Sequence, residues 1–459
     1  MSSLIGKGAH GEIHKITDNK GRVYAQKTLS IQDAAVYNEC DCMLRFDHPH
    51  LVRALQASMR VPKVYLVMEL GDMDLWKWRR QQPDISFDVV VWIAYQLISA
   101  CHFLYQQGYY HCDIKPQNVL VFQSTSEVPI VKLADLGLAF PFEYQLVVCG
   151  TPTWTSPEGL SPEDSATLGD GNAGADEPLV GDRKKQMHTQ ADIFSLGTTL
   201  WFTLFGNPII QTVDKTNAIP SIIKDTIHKY EQMEGGEELV SFLQMLQQMC
   251  HLDPSQRYVS YASILQSSEC FRERVYTTPI GGVVKVTSMP THHLTIVEDS
   301  FKQMCRTLLQ FIASKCQVDG NGLIAIVAIS MLYRCWPLVN EQTAPATVAA
   351  IGWMASNFLD NYIPIGEVVG LFGQQFTRDA LMLQTQAVFN HLKGILRVPT
   401  VYDVALTQDE VRWAIMLYSD KCKYLHYEPM KLHQHYITNV ETEHQKVDAR
   451  VPKSAKVAF

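Results

Sequence analysis

Gly6, Gly8 and Gly11 open the chain with the spacing G-x-G-x-x-G. Glycines so spaced let a backbone turn come close to a ligand, and the chemistry they suit is phosphate binding by main-chain N–H groups. The same spacing opens dinucleotide-binding folds, but there the turn leads into a helix. Here "EIHKI" and "RVYAQKTL" continue as strands. A flap closing over nucleotide phosphates is therefore expected, with Lys27 in "YAQK" pointing at the α and β phosphates. Taken alone, a Lys at a strand end is an ordinary solvated charge. A second concentration of reactive types follows in "HCDIKPQNVL", residues 111 to 120, where Asp113, Lys115 and Asn118 put an acid, an amine and a carboxamide on one short stretch beside Cys112.

The elements that must position these residues are legible in outline. The first thirty residues read as strand, Gly-rich turn and strand, followed by a helical stretch at 32 to 46. Past Pro83 helical signals dominate. A break follows "HLDPSQRYVSYASIL", and "TTPIGGVVKVTSMPTHH" reads as a linker. "SPEDSATLGDGNAGADEPLVGD", acidic and rich in small residues, is expected to be a mobile insertion. Residues 298 to 393 divide into five helical segments: "LIAIVAISMLYRC" as the buried one, Ala349, Ala350, Gly352 and Ala355 for close helix approach, a short helix after Pro364, and a fifth capped by Thr377 and ended by Gly394. Thr407 with Glu410 caps a further helix.

The chain has 459 residues, 46% of them hydrophobic, and a net charge of -8. That length exceeds what one core fills, so two or more domains are expected. The acidic balance argues against a general nucleic-acid or membrane-surface binder. Eleven cysteines without a CxxC pair point to a reducing compartment. The run "GLIAIVAISMLY" is too short to span a bilayer, and Met1 is not followed by a signal-like stretch, so cytoplasmic or nuclear residence is expected.

Along residues 1 to about 275 the ordered motifs resemble the eukaryotic-type protein kinases. Glu39 in "AAVYNECDCMLRF" matches the helix-C Glu that pairs with the strand Lys, "VYLVMELGDMDL" the hinge with Met68 as gatekeeper, "HCDIKPQNVL" the catalytic loop, "ADLG" the metal-binding motif and "TSPE" the end of the activation segment. "DIFSLG" and Arg257 in "DPSQR" match structural anchors of the large lobe. The resemblance implies ATP and Mg²⁺ as cofactors and protein substrates. It gives Asp113 the substrate hydroxyl and its proton, Lys115 the γ-phosphate, and Asn118 and Asp135 the metal ions. Lys27 and Glu39 form the phosphate-holding pair, and Thr151 in "GTPTW" bonds Asp113 and Lys115. The nucleotide site it implies comprises Ile5, Gly6, Lys7, Gly8, Ala9, His10, Gly11, Glu12, Ile13, Ala25, Lys27, Met68, Glu69, Leu70, Gly71, Asp74 and Leu120. "KPQN" is similar to Ser/Thr kinases more than to tyrosine kinases. Leu136 replaces the usual Phe after the metal-binding Asp.

The resemblance to cyclin-dependent kinases shows three departures. The arginines that gather an activation-segment phosphate are replaced by Asn38, Cys112 and Phe140, and Leu146 falls where the phosphothreonine would be. "ASNFLDNYIP" and "LRVPTVYDV" in the C-terminal region resemble a cyclin box, although Tyr333 stands where cyclins often have Asp, no clear match exists for the Lys that grips helix C, and Glu367 is only a candidate contact. The fold class expected is an α+β two-lobed protein kinase fold followed by an all-α cyclin-box-like helical domain. Its boundaries are 1–275 for the kinase (small lobe 1–70, large lobe 71–275, insertion 160–186), 276–297 for the linker, 298–437 for the helical domain and 438–459 for a disordered tail.

The function expected is a Ser/Thr protein kinase activated in cis through helix C, without activation-loop phosphate, nucleic acid or membrane. Such fusions resemble arrangements in large DNA viruses. The rival from another class is a pseudokinase scaffold that binds nucleotide and partners. The "GTPTW" loop is unlike that of proline-directed kinases, so Ser-Pro sites are not expected.

Overall fold

The computed structural model describes residues 2–8, 11–33, 35–125, 128–142, 150–159, 181–211, 213–272, 283–284, 304, 307–308, 321–340, 342–358, 363–372 and 375–396. Almost all of the expected linker and the acidic insertion, most of the first C-terminal helix, Leu146, Thr407 with Glu410 and the tail lie outside these residues. Two compact units divide the chain, one of Met1–Arg45, Ala54–Met68 and Val284–Phe459, the other of Phe46–Arg53 and Glu69–Val283.

The first unit begins with strands β1 (Ser2–Gly8), β2 (Gly11–Thr17) and β3 (Val23–Ser30). They are followed by helix α1 (Ala35–Arg45) and strands β4 (Ala54–Arg60) and β5 (Lys63–Met68). The strands form one five-stranded sheet in the order β1-β2-β3-β5-β4, antiparallel throughout. In β3, Ala25, Lys27 and Leu29 are buried while their neighbours are not, the period-two burial of a strand with one covered face. Gly11 closes the β1–β2 hairpin opposite Gly8 at φ +140°, and a Cβ there would lie 2.2 Å from Thr28 O, so the position accepts glycine alone.

The second unit is mainly helical. Helix α2 (Leu75–Gln81) is capped by Asp74, whose carboxylate accepts from the Lys77 amide, and α3 (Phe87–Gln106) by Ser86. Helix α3 is long and apolar enough to cross a bilayer, but 72% of its most apolar stretch is buried in the protein, as expected of a core helix. Strands β6 (Val119–Phe122) and β7 (Ile130–Leu133) pair antiparallel, with Met73–Asp74 on the other side of β6. Helices α4 (Gly181–Phe205), α5 (Ile219–Glu231), α6 (Glu237–Met249) and α7 (Tyr261–Ser267) follow, with a single turn at Glu269–Arg272 after them.

The chain then returns to the first unit with α8 (Asn321–Arg334), α9 (Ala344–Phe358), α10 (Ile365–Leu371) and α11 (Arg378–His391). Helix α9 is buried from Ala346 to Phe358, its small residues Ala349, Ala350, Gly352 and Ala355 included. Thr377 caps α11 by accepting from the Ala380 amide at 3.2 Å, and Gly394 follows at φ +77°.

These helices explain why α1 is buried on all sides from Val36 to Arg45 despite carrying Asn38, Glu39, Asp41 and Arg45. Tyr37, fully buried, meets Trp353 of α9 and Phe389 of α11 edge-on, ring centroids 6.4 and 6.2 Å away. Asp41 is neutralised by Arg45 Nε at 2.7 Å and accepts the Leu396 main-chain N–H at 2.9 Å. Arg334 holds that segment in turn, donating to Leu396 O at 3.0 Å and Ile395 O at 2.6 Å.

Candidate active site

In the second unit, Asp113 is the centre of a closed hydrogen-bond set. Lys115 Nζ donates to Asp113 Oδ2 and to Thr151 Oγ1, both at 2.6 Å, and Thr151 Oγ1 donates to Asp113 Oδ1 at 2.8 Å. Asn118 Nδ2 donates to Asp113 O at 2.9 Å and to Oδ2 at 2.8 Å. Asp113 is thus fixed from three sides while its side chain stays partly exposed.

The backbone of this loop is held by buried groups. Asp192 accepts the His111 and Cys112 amides at 2.7 and 2.9 Å. Burial raises its carboxyl above the usual range, and His111 with the two amides works against that shift. The Asp113 amide donates to His111 Nδ1, so the proton sits on Nε2, which donates to Ala134 O at 3.0 Å. The Ala134 amide in turn donates to Asn118 O at 2.8 Å. That chain sets the register of the next residue, Asp135, which takes the left-handed conformation with φ 63° and ψ 74°. Such backbone in a non-glycine residue costs about 1–3 kcal/mol and concentrates at functional sites.

In the first unit, Lys27 Nζ lies 2.6 Å from Glu39 Oε1, both side chains buried. Ala25, two residues before Lys27 on the same face, stands opposite Met68 in the β3–β5 register. Gly6 and Gly8 lie on β1, Ile5 and Lys7 are exposed there, and Glu12 and Ile13 are half-buried on β2. Ala9 and His10 fall outside the described residues.

In the second unit, the Glu69 amide donates to Arg53 O at 3.0 Å, and its carboxylate accepts the Arg53 amide and Lys132 Nζ. Glu69 therefore anchors its own segment. A Cβ at Gly71 would lie 3.0 Å from Leu120 Cβ, so the chain passes close over that half-buried leucine. Leu70 is half-buried between them, and the Asp74 carboxylate is engaged with Lys77 at the start of α2.

The residues present suit Mg²⁺. It takes hard oxygen ligands and is bound through one or two side chains plus substrate phosphates. Asp135 offers a carboxylate, and Asn118, with its Nδ2 committed to Asp113, keeps the carboxamide oxygen as its ligand atom. Among the described residues no cluster of three or more His, Cys, Asp or Glu side chains could hold a metal unaided.

The protein kinase domain family model matches residues 1–268. The chain belongs to the protein kinase family. Three relatives illustrate the range. Rat "NUAK family SNF1-like kinase 2" is 26% identical over 229 residues, 48% of this chain and 32% of the relative. Human "Serine/threonine-protein kinase ULK3" is 28% identical over 220 residues, 45% of this chain and 42% of the relative. A protein of Acanthamoeba polyphaga mimivirus, named as a serine/threonine-protein kinase/receptor, is 28% identical over 274 residues, 56% of this chain and 15% of the relative. The match thus spans less than half the length of each.

Within the kinase domain, Arg257 makes a bidentate pair with Glu158 and also donates to Gln190 O, His251 O and Leu252 O. This buried fork fastens the end of the activation segment. Phe140–Pro141 pairs antiparallel with Tyr109–Tyr110, the Phe142 amide donates to Gly108 O at 2.8 Å, and the Phe142 ring lies 4.2 Å from Tyr110. Gly150, at φ +100°, would bring a Cβ to 2.7 Å from Cys112 O. Cys112 itself has φ 66° and is half-buried. Leu136, where the family usually has Phe, is buried.

Sequence reasoning named the reactive groups but not what holds α1. Glu367, the candidate contact, lies on α10. The groups that reach α1 from the C-terminal helices include Trp353, Phe389 and the Leu396 amide.

Proposed function

We propose that the chain is an ATP-dependent Ser/Thr protein kinase whose own C-terminal helices keep it active without an activation-segment phosphate. The observation that carries this reading is the Lys27–Glu39 ion pair, formed by a helix that Tyr37 and Asp41 join to Trp353, Phe389 and Leu396. The Ser/Thr class rests on the Lys115–Thr151–Asp113 set.

Asp113 orients the substrate hydroxyl and accepts its proton; Lys115 neutralises charge on the transferring phosphoryl group. Asn118 and Asp135 would hold Mg²⁺, which neutralises phosphate charge when bound. Lys27 holds the α and β phosphates and is itself oriented by Glu39. Glu69 and Asp74 act through the backbone they anchor.

The C-terminal helices are read as a cyclin-like module. Converting an equilibrium from mostly inactive to mostly active takes about 5.5 kcal/mol of differential binding. An activator in the same chain meets its surface at an effective concentration on the order of millimolar, so a modest surface suffices. With Asn38, Cys112 and Phe140 in place of the phosphate-gathering arginines, the strand pairing of Phe140–Pro141 anchors the start of the activation segment and the Arg257–Glu158 fork its end. Among the described residues, the thiols of Cys40, Cys101, Cys250 and Cys335 are free, which favours a cytoplasmic or nuclear site of action.

The test is transfer of label from radiolabelled ATP to protein substrates by wild type and Asp113→Asn. Transfer that the substitution abolishes supports the enzyme. No transfer by wild type across a range of Mg²⁺ concentrations means a nucleotide-binding scaffold.

A further inference from the structure

The contact between the C-terminal helices and the kinase sheet has a second part, away from α1. Strand β4 is the last of the sheet, so alternate residues along it turn their main-chain N–H and C=O groups outward. Asn390 of α11 reads both groups of one such residue: the Met59 amide donates to Asn390 Oδ1 at 2.8 Å, and Asn390 Nδ2 donates to Met59 O at 3.0 Å. Two residues on, the Val61 amide donates to Gln386 Oε1 at 2.9 Å. Residues four apart on a helix lie about 6 Å from each other, so Gln386 and Asn390 together reach the end of β4 and the turn that follows it.

The same helix end also touches α1. Phe389, next to Asn390, packs on Tyr37. A Cβ at Gly394 would lie 2.9 Å from Ala57 of β4 and 3.0 Å from Leu44 of α1. Residues 386–396 therefore span from sheet edge to helix.

We infer that Gln386 and Asn390 make α11 a surrogate neighbour strand for the open edge of the kinase sheet, and that this second anchor fixes α1 against β3. Both are positioning residues for the Lys27–Glu39 pair. The inference rests on the reading that the C-terminal helices activate the kinase in cis. It also means that the sheet edge is filled by its own chain and closed to a partner strand.

The chemistry of the two amides differs, and that gives an atom-specific test. Asn390 must both accept and donate, so Asn390→Asp, equal in size, loses the bond to Met59 O and sets a carboxylate against a carbonyl. Gln386 accepts from Val61, so Gln386→Glu keeps its bond. Gln384→Ala is the control, since Gln384 Nε2 bonds Thr347 Oγ1 within the C-terminal helices.

In the full chain, Asn390→Asp is expected to lower kcat/KM for ATP about tenfold, a loss equivalent to about 1.4 kcal/mol, and, because repulsion from Met59 O drives the carboxylate away from the strand, to speed hydrogen exchange at the Met59 amide. Gln386→Glu and Gln384→Ala should retain most of the activity. Wild-type kcat/KM in Asn390→Asp, or an equal fall in Gln386→Glu, overturns the proposal. Phe389→Ala separates the two ideas: if it loses activity while Asn390→Asp does not, only the edge anchor fails, and if neither does, cis activation fails. Should Asn390→Asp not fold, Asn390→Ser, which shortens the reach without adding charge, is judged by the same two readouts.

Discussion

Lys27 Nζ stands 2.6 Å from Glu39 Oε1, two opposite charges meeting where both are buried. Neutralising one partner takes the counter-charge away from a buried ion, and breaking a buried pair costs about 3–5 kcal/mol. Glu39→Gln, nearly isosteric, is therefore expected to lower stability by about that amount in chemical denaturation. Phosphotransfer should fall more than tenfold, because Lys27 is no longer oriented.

Around Asp113, the role of Thr151 depends on one oxygen that accepts from Lys115 and donates to Asp113. Thr151→Ser keeps that oxygen and should keep most of the activity, whereas Thr151→Val keeps the shape and loses it. Asp113→Asn removes the proton acceptor, worth about 10²–10⁴ in rate. Steady-state rates at saturating ATP check all three.

With no arginine at positions 38, 112 and 140, activation-segment phosphate has lost its usual partners. Phosphatase treatment of the purified full chain should leave its specific activity unchanged. A fall to baseline, restored by ATP preincubation, means that a phosphate does switch it on.

His50 is buried, and desolvation, helped by His48, lowers its imidazole to about 4. The ordinary value is about 6.5. The unfolded chain therefore binds a proton between pH 6.5 and 4 that the folded protein does not. Stability that is complete above about pH 6.5 is lost as pH falls through that window, by roughly 3 kcal/mol at the bottom of it. His50→Gln should flatten this part of the stability–pH curve, measured by urea denaturation at pH 7 and 4.5.

Much of the site was legible because local rules suffice for it. The alternation of Ala25, Lys27 and Leu29 marks a half-covered strand, Asp113 to Asn118 lie on one loop, and Thr377 and Gly394 bound their helix by cap chemistry alone. Which groups of the C-terminal helices hold α1 was not legible, although contact through that helix was expected. Leu396 reaches Asp41 and Asn390 reaches Met59 across more than 300 residues of chain, through main-chain groups that no residue type advertises. Nor does the sequence of α1 show that it would be buried on both sides, since Asn38, Asp41 and Arg45 read as a solvated face until Asp41 finds its partners. The shared compact unit of sheet and C-terminal helices is likewise a long-range product, invisible to periodicity.

The central claim is that the C-terminal helices keep the kinase active by gripping α1, and the most direct test lies at Trp353. This ring packs edge-on against Tyr37 from α9 and donates Nε1–H to Ile363 O at 2.8 Å. Label transfer from radiolabelled ATP should be measured for phosphatase-treated full chain, wild type beside Trp353→Leu, at matched folded fraction. A fall of tenfold or more in Trp353→Leu, with Asp113→Asn marking zero, is the predicted result; equal transfer by wild type and Trp353→Leu would contradict activation by the chain's own helices.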